Sequence, residues 1–336
     1  MLLAEDRRKV PLLEYLVAWT RLPWYVVTGI ITVIFLLFLL LTVYLDGPLA
    51  ERLDWEHLRG PLLPTAIVIY VLVIYPAMVR LRDRAIASLA QLIPTNSNAN
   101  HPFVANLFSS RKRWELTSIL VGMGCGFFFT QPWRWVDRPL AAYAASTDII
   151  MFGVLGLLVF DSMNSTLRIS QLARHHIKVD IFATRELVPV ANWSLGIALA
   201  FVGGISIGIA FQPIDNLLQK MNIILNGSLI LVAIVVFFLS MWNTRTAIVR
   251  AKRAELAVIR KNLDSGFREL RDKRTNNIAL SMDTVFTEIA VWAAYEQRIQ
   301  EVSEWPYNAR IVRRLAASVL VPGVVYLLKL LFGINL

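Results

Sequence analysis

Lys329 is the residue of this chain most at odds with its surroundings. It lies in the final apolar run, within "VYLLKLLFG" over 325–333. An ammonium group at the centre of a bilayer costs roughly 2.5–3.5 kcal/mol on insertion scales. It therefore either snorkels outward along its aliphatic stem or faces water in a pore, where a fixed charge sets ion preference. Ser318, Pro322, Val325, Lys329 and Gly333 recur at spacings of three and four, which gathers the less lipid-like side chains on one helix face that could line water.

Other residues with chemical potential are sparse. Asp148 and Asp161 flank one apolar segment, and intramembrane carboxylates can relay protons or ions. "GMGCG" over 122–126 lacks the Lys-Ser/Thr of a phosphate loop and the TVGYG carbonyl ladder of a filter. Gly122, Gly124 and Gly126 are read instead as a helix-packing seam, like the G-x-x-x-G of Gly204 and Gly208. His175 and His176 are adjacent, which turns their rings to different sides of a helix and makes a poor metal pair. Cys125 is the single cysteine, so no intrachain disulfide forms and no Cys/His metal motif exists. No Ser/His/Asp set appears. These residues point away from an enzyme and imply no cofactor and no metal.

The positioning elements follow from composition. Of 336 residues, 56% are hydrophobic and only 17% charged, whereas about 45–50% and 25% are usual in soluble domains. That describes an all-α polytopic protein of the cell membrane. About 20 apolar residues cross a bilayer as a helix, and seven segments qualify: 22–45, 61–79, 115–132, 146–165, 187–212, 222–243 and 315–335. The first is too long for a signal-peptide core and reads as a retained anchor.

The net charge of +10 is a matter of sidedness rather than of nucleic-acid binding. Of the 34 Lys and Arg residues, 28 fall on one side of the seven segments and 5 on the other, so the positive-inside rule predicts an inside N-terminus and an outside C-terminus. Trp24, Tyr25, Trp133, Trp135 and Trp242 lie at helix ends and are expected to form interfacial belts.

The expected organisation is a membrane domain over 1–243 with six spans, a cytoplasmic helical hairpin over 244–303, and a broken seventh helix over 304–336. In the hairpin Leu256, Ile259, Leu263, Phe267 and Leu270 form one stripe, and Met282, Val285, Ile289, Trp292, Ile299 and Val302 another. Basic residues dominate the first half and acidic ones the second, which favours antiparallel pairing within one subunit or between neighbours. Leu256, Ile259, Leu263, Phe267, Ile289 and Trp292 are the expected assembly residues. Arg271, Lys273 and Arg274 near the turn would attract anionic lipid. Pro306 disfavours helix at Trp305 and breaks the chain before the last span.

This layout resembles the insect odorant and gustatory receptor channels over most of the chain. Their last helix carries Thr-Tyr, five apolar residues and Gln-Phe. Here Tyr326 matches, Val325 replaces Thr, Lys329 interrupts the apolar five and Phe332 stands where Gln would be. The resemblance implies a homo-oligomer, a tetramer above all, assembled through the cytoplasmic helices, with the last helix lining a cation pore and gating by a ligand among the options. A pore-facing lysine departs from simple cation selectivity. The sequence leaves two alternatives open: a membrane scaffold or sensor whose basic inner domain binds a partner or anionic lipid, and a small-molecule transporter.

Overall fold

A computed structural model describes residues 22–47, 55–91, 112–134, 138–174, 188–212, 219–275 and 282–302, with a few isolated positions besides. Among the described residues there is no strand. The described residues form seven α-helices in order, α1 Trp24–Asp46, α2 Trp55–Gln91, α3 Lys112–Thr130, α4 Pro139–Arg174, α5 Val188–Phe211, α6 Lys220–Thr275 and α7 Met282–Glu301, with a short 3-10 turn Pro132–Arg134 after α3.

Four of these contain stretches long and apolar enough to cross a membrane: Trp24–Asp46, Leu58–Gln91, Pro139–Leu172 and Val188–Phe211. They coincide with four of the seven segments expected from hydropathy. Segment 115–132 is helical, but Lys112, Arg113 and Glu115 in the first turn and three glycines keep α3 outside that group. Segment 222–243 forms the first part of α6, and Ile230–Leu239 is an apolar stretch among its described residues. Segment 315–335 lies outside the described residues apart from isolated positions, as do Trp305, Pro306, Ser318, Pro322, Val325, Lys329, His175 and His176.

The helices outrun their apolar segments. α2 continues through "RLRDRAIASLAQ" without a break, and α4 continues to Arg174. At 1.5 Å per residue the 56 residues of α6 reach about 84 Å, far beyond the ~30 Å of a hydrocarbon core.

Packing centres on α2, α4 and α5. α4 contacts α3 and α2, α2 contacts α5, α6 lies on α5 and α4, and α1 lies on α2 and α4. The main core joins Val71, Met78, Ile86 and Leu89 of α2 to Leu158, Ile169 and Leu172 of α4 and Trp193, Ile197 and Phe201 of α5. Ile248 of α6 closes it.

Pro76 explains how α1 is held. Proline has no N–H, so the carbonyl four residues earlier loses its intrahelical donor. That carbonyl, Leu72 O, accepts the indole N–H of Trp24 at 2.6 Å, and the Trp24 ring stacks on Tyr75 at 5.6 Å. Trp24, expected at the lipid interface, is thus a packing residue, whereas its neighbour Tyr25 is 76% exposed.

A second tie joins α1, α2 and α4. Thr65 Oγ1 and the Tyr143 hydroxyl lie 2.8 Å apart and buried, and the Tyr143 hydroxyl also reaches Phe35 O at 3.2 Å. A net hydrogen bond contributes about 1 kcal/mol. Tyr143→Phe should therefore lower unfolding stability by about that amount. A double-mutant cycle with Thr65→Val should return a positive coupling.

The glycines follow geometry rather than motif. In α5 the close approach to Tyr70 is at Gly203, where an added Cβ would run into the ring, while Gly208 has open space. The tight position is one residue away from the G-x-x-x-G pair. Tyr70 sits there because its hydroxyl donates to Ala200 O at 3.0 Å.

Candidate functional site

Charges within otherwise apolar helices mark the strongest site. One turn beyond Met78, α2 presents Arg82. Across from it α4 carries Asp161, with Arg82 Nη1 3.8 Å from Asp161 Oδ2. Both side chains are mostly buried, at 12% and 14% exposure. The Tyr75 hydroxyl, two turns earlier on α2, donates to the Asp161 carboxyl. Arg168 of α4 and Glu115 of α3 act on the same carboxylate through space. Glu115 is 1% exposed, on the first turn of a helix, where the macrodipole favours an anion.

The buried part of the group holds two guanidiniums and two carboxylates, and the half-exposed Asp83 adds a third carboxylate that accepts from Arg82 Nε at 3.0 Å. Mutual pairing is what allows them to be buried at all, because an isolated ion in such surroundings costs several kcal/mol. The arrangement links α2, α3 and α4, and the Trp24 ring on Tyr75 extends it to α1. Beside it Ser162 and Thr166, both at 0% exposure, have hydroxyls without a hydrogen-bond partner. Asp148, the other carboxylate singled out in sequence, lies on the same helix more than three turns away and is no part of the group.

An apolar groove of 540 Å³ runs between α3, α4 and α6. Val121, Cys125, Phe152, Val159, Met163 and Leu167 line it, with Ser118, Asn164 and Ser228 as polar points. Its floor is the seam between α3 and α4, where Gly122 approaches the Phe152 carbonyl and Gly156 the Ser118 carbonyl. Gly124 takes no part, since it is turned about 200° from Gly122 and meets nothing within 4 Å.

The expected assembly residues occupy a third region. α6 and α7 run in opposite directions: Lys252 Nζ donates to Gln300 O at 2.8 Å and to Val302 O at 3.0 Å, and Arg260 pairs with Glu296 at 3.0 Å. Lys252 therefore satisfies carbonyls left free at the end of α7. Ile259, Leu263 and Ile299 are buried between the two helices, and Leu256, Ile289, Trp292 and Tyr295 pack around them. Gly266 lets α7 approach, because a Cβ there would sit 3.0 Å from Ile289 Cγ1. Of the six residues expected to drive assembly, five hold α6 to α7 within the chain and only Phe267 stays exposed, at 56%.

Among the described residues no group of His, Cys, Asp and Glu is placed to hold a metal ion. Sequence reading singled out Asp161 but missed its partners. Arg82 and Glu115 sit 79 and 46 residues away in the chain, and only their position at ends of apolar segments signals them. No family model, curated protein or solved structure matches the chain.

Proposed function

We propose that this chain is one subunit of a homo-oligomeric ion channel of the cell membrane. In this reading seven helices cross the bilayer with the N-terminus inside and the C-terminus outside. Residues 244–303 form the cytoplasmic assembly module, and the last helix, 315–335, lines a central pore with Ser318, Pro322, Val325 and Lys329.

The observation that carries the reading is the surface of α6 and α7. Val258, Phe267, Phe286 and Val291 are each more than half exposed, on helices crowded with Arg, Lys, Asp and Glu. Exposed apolar side chains on α1 or α3 can face lipid. On so charged a pair they face water unless another chain covers them. A second subunit is the natural cover, and several copies of the last helix are what a central pore requires.

Subunit number tests the reading first. Native mass, or light scattering corrected for bound detergent, is expected to give a closed ring of three or more, with four favoured by the resemblance. A monomer reproduced in lipid nanodiscs would exclude it. In a conducting preparation Lys329→Glu should shift the reversal potential under a salt gradient, because a fixed charge at the pore sets ion preference. An unchanged value would remove Lys329 from the pore.

A scaffold or sensor is favoured by a different observation. Arg250, Lys261 and Arg268 are exposed and recur along α6 on the side away from α7. Near an anionic membrane surface each would contribute about 1 kcal/mol. Salt-sensitive binding to anionic vesicles without ion flux would select that reading.

A further inference from the structure

We infer that the α6–α7 pair has two unlike, complementary long sides, and that one side of each copy docks on the opposite side of the next. This rests on the homo-oligomer proposed above and specifies how its subunits meet.

Cross-pairings within the chain assign the sides. Arg260 bonds Glu296 on one, and Gln300 Nε2 donates to the same carboxylate at 3.2 Å. Seven residues, two helical turns, lead from Arg260 to Phe267 and back to Arg253. Fourteen residues, four turns, lead from Gln300 back to Phe286. Phe267 and Phe286 therefore share a side and nearly a level, since Gly266 is opposite Ile289. The charges beside them are Arg253, Arg260 and Arg271 against Asp264 and Glu296, a net positive balance.

The other side is marked by the Tyr295 hydroxyl bonding Glu255 at 3.3 Å. Val258 is three residues from Glu255, and Val291 is four from Tyr295. Glu269 and Glu288 fall on the same side by the same periodicity, with Arg298 as the cation, so that three carboxylates face one guanidinium. Each side thus has two apolar side chains more than half exposed, one in a basic frame and the other in an acidic frame.

Self-complementary dimers put like against like. Two basic sides, or two acidic sides, repel when brought face to face, whereas basic on acidic attracts and excludes wrong registers. A contact between unlike surfaces leaves both used sides repeated on every copy, so it closes into a ring or continues as a filament. Anchorage of all copies in one bilayer favours the ring. With the pairs standing side by side, Phe267 of one copy meets the level of Val291 on the next.

Cysteine cross-linking of the full-length protein tests this in nanodiscs, with Cys125→Ser removing the native thiol. Co-expressed Phe267→Cys and Val291→Cys should form a disulfide-linked dimer at about tenfold the yield of either variant alone, since docked neighbours hold the thiols at millimolar effective concentration. One chain carrying both should give a ladder ending at the ring size. Phe286→Cys with Val291→Cys is a second pair in case the first distorts the contact. Self-linking of Phe267→Cys as efficient as the mixed pair would overturn the inference. So would an oligomer in which neither mixed pair links, while leaving the oligomer itself standing. The expected ladder without ion flux would sink the channel alone.

Discussion

Asp161→Ala is expected to destabilise the solubilised protein by about 3 kcal/mol, the range in which removal of one member of a buried ion pair falls. The loss does not measure the attraction between Asp161 and Arg82. It measures what is left behind: the guanidiniums of Arg82 and Arg168 with one buried carboxylate, Glu115, and the half-exposed Asp83 on Arg82, and a Tyr75 hydroxyl deprived of its acceptor. Chemical unfolding followed by tryptophan fluorescence in mild detergent is a suitable measurement, because Trp24 stacks on Tyr75 and reports the same region. Replacing both partners, Arg82→Leu with Asp161→Leu, should recover a large part of the loss, since neutral side chains leave no uncompensated charge. A cost below about 1 kcal/mol for Asp161→Ala would place the pair with solvated surface bridges.

The seam between α3 and α4 supplies the second large effect. Gly122→Val should lower stability by about 3 kcal/mol, at the upper end of overpacking costs. The first added carbon already meets the carbonyl of Phe152 and comes within 3.1 Å of the Gly153 Cα. Backbone atoms cannot rotate aside as a side-chain tip can, so α3 must separate from α4, and the groove floor goes with it. Gly156→Val should behave alike, because its Cβ would lie 2.7 Å from the Ser118 carbonyl. Gly124→Val is the control, with the same helix, chemistry and added volume but open space at the site. It should change the unfolding midpoint little. Equal effects at 122 and 124 would mean that helix propensity, not the seam, controls the position.

The groove and the charged group share this seam. Ser118 lines the groove and donates to the carbonyl of Glu115 at 2.7 Å, one turn from the buried carboxylate. A shift of α3 along α4 would therefore change both at once.

The sequence by itself determined that the described segments are helical and that four of them, in α1, α2, α4 and α5, can cross a membrane, because both depend on local quantities: apolar run length, absence of breakers, and the cost of exposing a peptide group in hydrocarbon. The stripes of α6 and α7 were legible for the same reason, since periodicity is a property of one helix. What each stripe touches was not. Leu256, Ile259 and Leu263 could have packed within the chain or between chains, and only the position of α7 places them inside, with Phe267 beyond its edge. Likewise one glycine in a stripe looks like another until a neighbour arrives. Gly122 and Gly203 are tight, and Gly124 and Gly208 are open, because α4 and Tyr70 stand where they do. Asp161 was visible as an expensive residue, but Arg82, Glu115, Arg168 and Tyr75 make it affordable only once three helices meet. Partnership between residues far apart in the chain is decided by tertiary packing, and that packing places the polar group, the groove and the two faces of the α6–α7 pair.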